Sequence, residues 1–226
     1  RQIMDSLVKM IQYMRSNNSE DLELEVRVGQ FTTENEFISG YSHEYVKIIN
    51  KLLQRMKNMT EHQDHKTLWK MEPNYTLLRC EYDKGIRKTC RANFEPEYQC
   101  KKRIGKLDLL ADRPYHLRIA LSKETKVDMV KSSPYYDLIT KQAPKSVRYL
   151  QRATFLETVP ALPFSAFEPI IFQWEVSKVS DNAPNKKLAT QNPCTYHCEL
   201  ELKSKLIPIQ DKNLENQQNY LLAEMI

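Results

Sequence analysis

Residues 22–29 read Leu22-Glu23-Leu24-Glu25-Val26-Arg27-Val28-Gly29, and their alternation decides the fold. Aliphatic side chains at 22, 24, 26 and 28 alternate strictly with two carboxylates and a guanidinium, which is the period-2 pattern of a β-strand. One face is apolar and the other is charged. Towards the other end of the chain, Tyr196–Leu202 repeats the pattern, with Glu199 and Glu201 on one face and Cys198, Leu200 and Leu202 on the other. Two such strands so far apart in sequence make sense as neighbours in space. Their four carboxylates then converge, and converging carboxylates need a cation to offset their repulsion.

Outward from these ribbons, the same alternation returns repeatedly. Arg79, Glu81 and Asp83 oppose Leu78, Cys80 and Tyr82; His116, Arg118, Ser122 and Glu124 oppose Leu117, Ile119 and Leu121. Gln173, Glu175 and Ser177 oppose Phe172, Trp174 and Val176, while Arg148, Arg152 and Thr154 share a face. In one strand this is the ordinary mark of a sheet with a solvated side. Repeated in many strands, beside amphipathic helices that need an apolar surface to cover, it has a second solution. The apolar faces point outward under the helices, and the charged faces line a closed barrel wide enough to stay wet. The expected class is therefore α+β, mainly β: a closed antiparallel β-barrel with a charged lumen, flanked by helices.

Helical spacing supports that arrangement. Ile3, Leu7, Val8, Met10, Ile11 and Met14 predict a helix over 3–14. Tyr45, Ile48, Ile49, Leu52, Met56 and Met59 predict another over 42–59, with Ser42 as its N-cap. A closing helix near 211–225 carries Leu214, Leu221, Leu222 and Met225 as apolar positions. From His65 to Leu206 the chain reads as strands divided by turns such as Asp83-Lys84-Gly85 and Asp112-Arg113-Pro114.

A chain of 226 residues fits one domain, 1–226. Because it begins at Arg1, it is expected to be part of a longer protein. The net charge of +5 permits a polyanionic partner without requiring one. Only four glycines occur, and neither GxxxxGK[ST] nor GxGxxG is present, so side chains must do any phosphate handling. The five cysteines are odd in number and lack CxxC spacing, which disfavours a disulfide framework or a zinc site and suits a reducing, intracellular compartment. No apolar run reaches membrane-spanning length, so no membrane partner is expected.

A lone Glu-x-Glu strand usually reports only a solvated face. Two of them, each running into a basic residue (Arg27, Lys203), point to a hard divalent cation on Glu23, Glu25, Glu199 and Glu201. Arg79, Lys102, Arg118, Arg148 and Arg152 form a basic set suited to phosphate, although a generic surface arginine more often serves solubility. Lys101-Lys102-Arg103 must send alternate residues to opposite faces. Glu124 and Glu175 are suited to orienting or deprotonating a water, with salt bridging to Arg118 or Arg152 an equal alternative. His197 lies two residues before Glu199 on its face; a packed histidine is the commoner outcome. His62 and His65 carry no assignment.

The quoted Leu22–Gly29 stretch and Cys-Glu-Leu-Glu-Leu at 198–202 resemble the two metal-binding strands of the triphosphate tunnel metalloenzymes. Within that superfamily the sequence is most similar to the metal-dependent RNA triphosphatases of fungal, protozoan and viral mRNA capping, including those of giant DNA viruses. The resemblance implies a polynucleotide 5′-triphosphatase that hydrolyses the γ-phosphate of 5′-triphosphate RNA, with Mg²⁺ or Mn²⁺ as cofactor and manganese-dependent NTP hydrolysis as a side activity. It further implies Glu23, Glu25 and Glu201 as metal ligands, with Glu199 reaching metal through water. Arg79 and Arg152 would bind phosphate, Lys102 would be a tunnel lysine, Glu124 would position the water, and Glu175 would hold metal-bound water. Two positions depart from the family pattern: His197 stands where a glutamate is common and Leu150 where a lysine is, with Arg148 or Lys145 as possible substitutes. The family context implies a guanylyltransferase domain in cis, and a virion or viral factory for a viral protein or the nucleus otherwise. Rival readings are a thiamine or inorganic triphosphatase, a class-IV-type adenylate cyclase, a polyphosphate polymerase, or a non-catalytic barrel that binds RNA ends.

Overall fold

The structure is a computed structural model that describes residues 2–17, 21–41, 46–61, 68–110, 115–159, 169–184, 186–204, 206 and 211–226. The elements run α1 (Gln2–Asn17), β1 (Leu22–Phe31), β2 (Phe37–Ser39), α2 (Val46–Glu61), β3 (Leu68–Met71), β4 (Tyr75–Glu81) and β5 (Ile86–Arg91). They continue with β6 (Glu97–Leu109), β7 (His116–Lys126), α3 (Tyr136–Lys141), β8 (Ser146–Val159), β9 (Ile170–Asp181), α4 (Lys186–Gln191), β10 (Cys194–Leu202) and α5 (Lys212–Met225). Ser42, Tyr45, His62, His65 and the Asp112-Arg113-Pro114 turn lie outside the described residues.

Eight strands close a barrel in the order β10-β9-β8-β4-β5-β6-β7-β1, and β1 returns to β10. Every pairing among them is antiparallel. The two acidic ribbons are neighbours, as expected. Glu25 pairs with Glu201 and Arg27 with Glu199. The ten-residue β1 and the long β6, β8 and β9 give the bore its depth, while β2 and β3 only extend the sheet along β1 and β8.

Because side chains alternate, the apolar set of each strand must be covered from outside. Leu7, Val8, Ile11 and Met14 of α1, with Leu222 and Ala223 of α5, bury Leu24, Ile119, Leu121, Phe172 and Leu202. Ile49 and Met56 of α2 cover Trp69, Phe155 and Val176. Replacing fully buried Phe155 with alanine would cost about 3–5 kcal/mol. Helices are thus tied to the outer wall by the same residues that force the charged faces inward.

Helix details differ from expectation in instructive ways. Ile3 and Leu221 are exposed. In α5 the buried stripe is instead Gln218, Asn219, Leu222 and Ala223, and the Arg15 side chain of α1 donates from Nε to Asn219 at 3.1 Å. A polar seam thus runs between two helices where leucine periodicity suggested only apolar contact. Asp211 caps α5, accepting from the amides of Asn213 and Leu214. The short α3 and α4 lack enough turns to show periodicity in sequence.

Candidate active site

A cavity of about 1170 Å³ occupies the bore and reaches out to Ile49 and Leu53 of α2. The strand directions put its mouth at the start of β1, β4, β6 and β9 and the end of β5, β8 and β10. From β1 come Glu23, Glu25 and Arg27; from β10, Glu199, Glu201 and Lys203; from β7, Glu124; from β9, Gln173 and Glu175. The facing wall supplies Arg79 from β4, Arg87 and Thr89 from β5, Gln99 and Lys101 from β6, and Arg152 and Thr154 from β8.

Glu23, Glu25, Glu199, Glu201, Glu124, Glu175, Arg79 and Arg152 therefore share one cavity. Lys102 does not. β6 pairs Lys101 with Glu124 and Lys102 with Lys123, so Lys102 follows Cys100 to the outer face, where it is exposed. Lys101 is the cavity lysine. The signal was present in the alternation, because Cys100 on an apolar face puts its neighbours Gln99 and Lys101 inside. Gly85 helps hold this stretch: its φ of 72° suits glycine, and a Cβ there would lie 2.4 Å from the Lys101 carbonyl oxygen.

Two further members of the basic set are spent elsewhere. Arg118 faces inward by register opposite Arg27, but at the far end of the bore. There it donates from Nε and Nη2 to Asp108 at 2.6 and 2.9 Å and lies over the Phe37 ring at 4.4 Å. Arg148 donates to Asp181 at 2.9 Å and approaches Glu81 at 3.6 Å, and it does not line the cavity. Lys145 pairs with Asp83. Leu150, on the inward side between Arg148 and Arg152, packs with Leu77 and Val179 instead of offering a charge.

Electrostatics divide the cavity into an acidic and a basic half. Lys101 Nζ contacts Glu23, lies 3.0 Å from Glu124 and 3.4 Å from Glu25, while Arg27 donates to Glu25 at 2.7 Å and Arg87 to Glu124 at 3.3 Å. Burial, and then the neighbouring Glu25, push the Glu23 carboxyl up to about 8 despite Lys101. Burial works against Glu124 too, but Lys101, a hydrogen bond with Glu23 and the charge of Arg87 together outweigh it and hold that carboxyl at about 2. Glu201 is pushed up by burial, opposed by Lys203 Nζ at 2.5 Å. Glu23 keeps Lys101 as its one cation in contact among the described residues, shared with Glu25 and Glu124, and a raised carboxyl there is the result of burial and of that sharing.

Glu199 and Glu175 belong to the basic half. Glu199 is held at about 2: burial opposes its charge, but Arg27, at 3.2 Å, and the charges of Arg152 and Arg79 prevail. Glu175 pairs with Arg152 and accepts from Gln173 at 2.7 Å. Arg152 also donates to Ser177 at 2.9 Å. The buried Nε of Arg79 has no hydrogen-bond partner among the described residues, and unlike Arg27, which is ion-paired to Glu25 and Glu199, Arg79 forms no ion pair among them. Burial, then Arg87 and Arg152, drive its guanidinium down to about 10. Thr154 Oγ1, also on the cavity wall, is likewise without a partner. A crowded, incompletely bonded guanidinium is suited to an oxyanion.

The carboxylates of Glu23, Glu25 and Glu201 suit a hard divalent ion, being all-oxygen donors. Among the described residues no three carboxylates, imidazoles or thiols are gathered closely enough to enclose an ion, and Lys101 occupies the space between Glu23, Glu25 and Glu124. His197 is not part of the set. Burial pushes its imidazole down to about 4, so it is neutral, 3.1 Å from Thr195 Oγ1 and packed against Gly40.

Residues missing from the sequence-derived set are Lys101, Arg87, Thr89, Gln99 and Gln173. β5 concealed Arg87 because Lys88, facing outward, spoils the alternation.

No protein-family model matches the chain, and no curated relative matches it. Solved structures do. The S. pombe Pct1 RNA triphosphatase superposes over 100% of this chain and 89% of its own, with a TM-score of 0.69 at 14% identity. The same enzyme in complex with the Spt5 CTD gives 0.63 at 15%, covering 100% and 88%. The Mimivirus capping enzyme triphosphatase gives 0.50 at 13% identity, covering 99% of this chain and 98% of its own. At such identities the likeness is one of fold: this barrel has the tunnel architecture of the capping RNA triphosphatases.

Proposed function

We propose that the protein is a polynucleotide 5′-triphosphatase, cleaving the β–γ phosphoanhydride of triphosphate-ended RNA to leave diphosphate-ended RNA and phosphate. The observation that carries this reading is the Arg79 guanidinium, its Nε without a partner among the described residues, lining with Arg87 and Arg152 the same cavity as the crowded carboxylates of Glu23, Glu25 and Glu201. An anion offsets one half and a cation the other, which suits a metal-bound polyphosphate.

Arg79 and Arg152 grip phosphate oxygens, with Arg152 held in place by Glu175 and Ser177. Lys101 adds a point charge beside Glu124. Glu124, ionised at neutral pH, accepts a hydrogen bond from the attacking water and directs its oxygen at the γ-phosphorus, while the β–γ bridging oxygen departs with the β-phosphate. Glu175 orients a second water from the opposite wall. Mg²⁺ or Mn²⁺ bound by Glu23, Glu25 and Glu201, with Glu199 at a greater remove, would supply charge neutralisation on the phosphates. Such an enzyme performs the first step of cap formation, its product passing to a guanylyltransferase.

The deciding experiment measures phosphate release from 5′-triphosphate RNA, free NTP, tripolyphosphate and thiamine triphosphate, with magnesium or manganese. RNA turnover that needs metal and disappears in Arg79→Ala is the expected result. Preference for a small substrate would move the assignment to another tunnel enzyme. One observation favours a second reading: Lys101 already bridges three carboxylates. A silent barrel binding RNA ends without metal would show metal-independent binding and no turnover.

A further inference from the structure

The β5–β6 hairpin stands at the mouth of the bore, where β5 ends and β6 begins. Its tip carries Phe94, 71% exposed and on the cavity lining together with Arg91 and Tyr75. A phenylalanine at a hairpin tip gains nothing from the barrel core, and polar residues are the usual occupants of such turns. The turn is well defined: Asn93 takes a φ of 65°, the Phe94 amide donates to the Arg91 carbonyl at 3.3 Å, and Pro96 stiffens the return. Arg91 in turn lies over the Tyr75 ring at 4.7 Å, fixing a flat cation beside the exposed aromatic.

Arg87, which contacts Glu124 of the acidic half, is four strand residues deeper than Arg91, or about 13 Å. A triphosphate held between Arg79 and Glu124 therefore leaves its nucleoside at the mouth. We propose that Phe94, flanked by the Arg91–Tyr75 stack, is a stacking platform for the first base of the RNA, and that it selects nucleotide-linked triphosphates over inorganic ones. A π-face accepts any base, so the platform discriminates RNA ends from phosphate chains and is indifferent to sequence. This rests on the triphosphatase reading given above.

The test compares the wild type with Phe94→Ala and Phe94→Trp on triphosphate-ended RNA and on tripolyphosphate. In Phe94→Ala, KM for RNA rises about tenfold, the scale of one lost base stack, with kcat unchanged; Phe94→Trp restores it. Tripolyphosphate kinetics do not follow the same change. Equal effects on both substrates, or none on RNA, would overturn the platform. Equilibrium binding of a short triphosphate-ended RNA to the same variants reads the platform without turnover. Were the wild type inactive on both substrates, the triphosphatase reading would fail, while a weakened RNA affinity confined to Phe94→Ala would still support the platform and unchanged affinity would refute it.

Discussion

The two ends of the bore are built from the same strands with the same period, yet they treat charge in opposite ways. At the far end, Arg118 has Asp108 as a bidentate partner and Phe37 beneath it, and Arg148 has Asp181. His197 is neutral. Gly40, at a φ of 108°, turns the chain so closely over His197 that a Cβ would lie 2.7 Å from its ring, and Tyr41 then bridges to Tyr196. Along the cavity, by contrast, Lys101 is shared among three carboxylates, two of which also hold Arg27 or Arg87, and Arg79 lacks a partner for its Nε among the described residues. Charges satisfied by one another lock a structure and leave nothing for a ligand to offset. Charges in excess cost stability and mark where a ligand is expected. The number of charged residues facing inward is therefore a poor guide to the site; the imbalance among them is the useful one.

That contrast can be broken most forcefully at the mouth. Glu23→Gln should lower RNA phosphate release about 10²- to 10³-fold, on the scale of losing one group that stabilises developing charge. Its thermal midpoint should hold or rise, because a carboxyl pushed up to about 8 by burial and Glu25 destabilises the fold when ionised. A lower midpoint with retained turnover would contradict the site.

A sharper comparison sets adjacent residues against each other. Lys101→Ala should reduce turnover about ten- to a hundredfold through the loss of its contacts with Glu23 and Glu124, whereas Lys102→Ala, on the outer wall, should leave it within twofold. Matching losses would mean that β6 pairs with β7 one residue out of register.

At the far end the effect should be on stability alone. Asp108→Asn is expected to cost about 2 kcal/mol at neutral pH by leaving Arg118 without its ionic partner. The Arg118 hydrogen bond holds the Asp108 carboxyl below its ordinary value, so the stabilisation is complete above about pH 4 and fades as pH falls through the lower folded value. Denaturant titrations of both proteins from pH 7 to pH 2 should show the gap closing on the acid side. A constant gap would assign the cost to packing instead of charge.

Strand period, the pairing of the two Glu-x-Glu ribbons, the inward face of each and the helices that cover the outside were all legible from alternation, because a one-residue slip would expose every apolar side chain on a strand. This placed Glu23, Glu25, Glu199, Glu201, Glu124, Glu175, Arg79 and Arg152 on one lumen. Period alone does not locate a residue along the barrel axis, and it is weakest where lysines run together. The resemblance points to Lys102 where Lys101 lines the cavity, and the period groups Arg118 and Arg148 with Arg79 and Arg152 although neither lines it. Register between distant strands, the bulge in β6 after Arg103 and the glycine turn over His197 decide those positions. Which faces meet follows from local side-chain chemistry, whereas which charges find partners depends on the depth at which each strand crosses its neighbour, and only the closed barrel sets that depth.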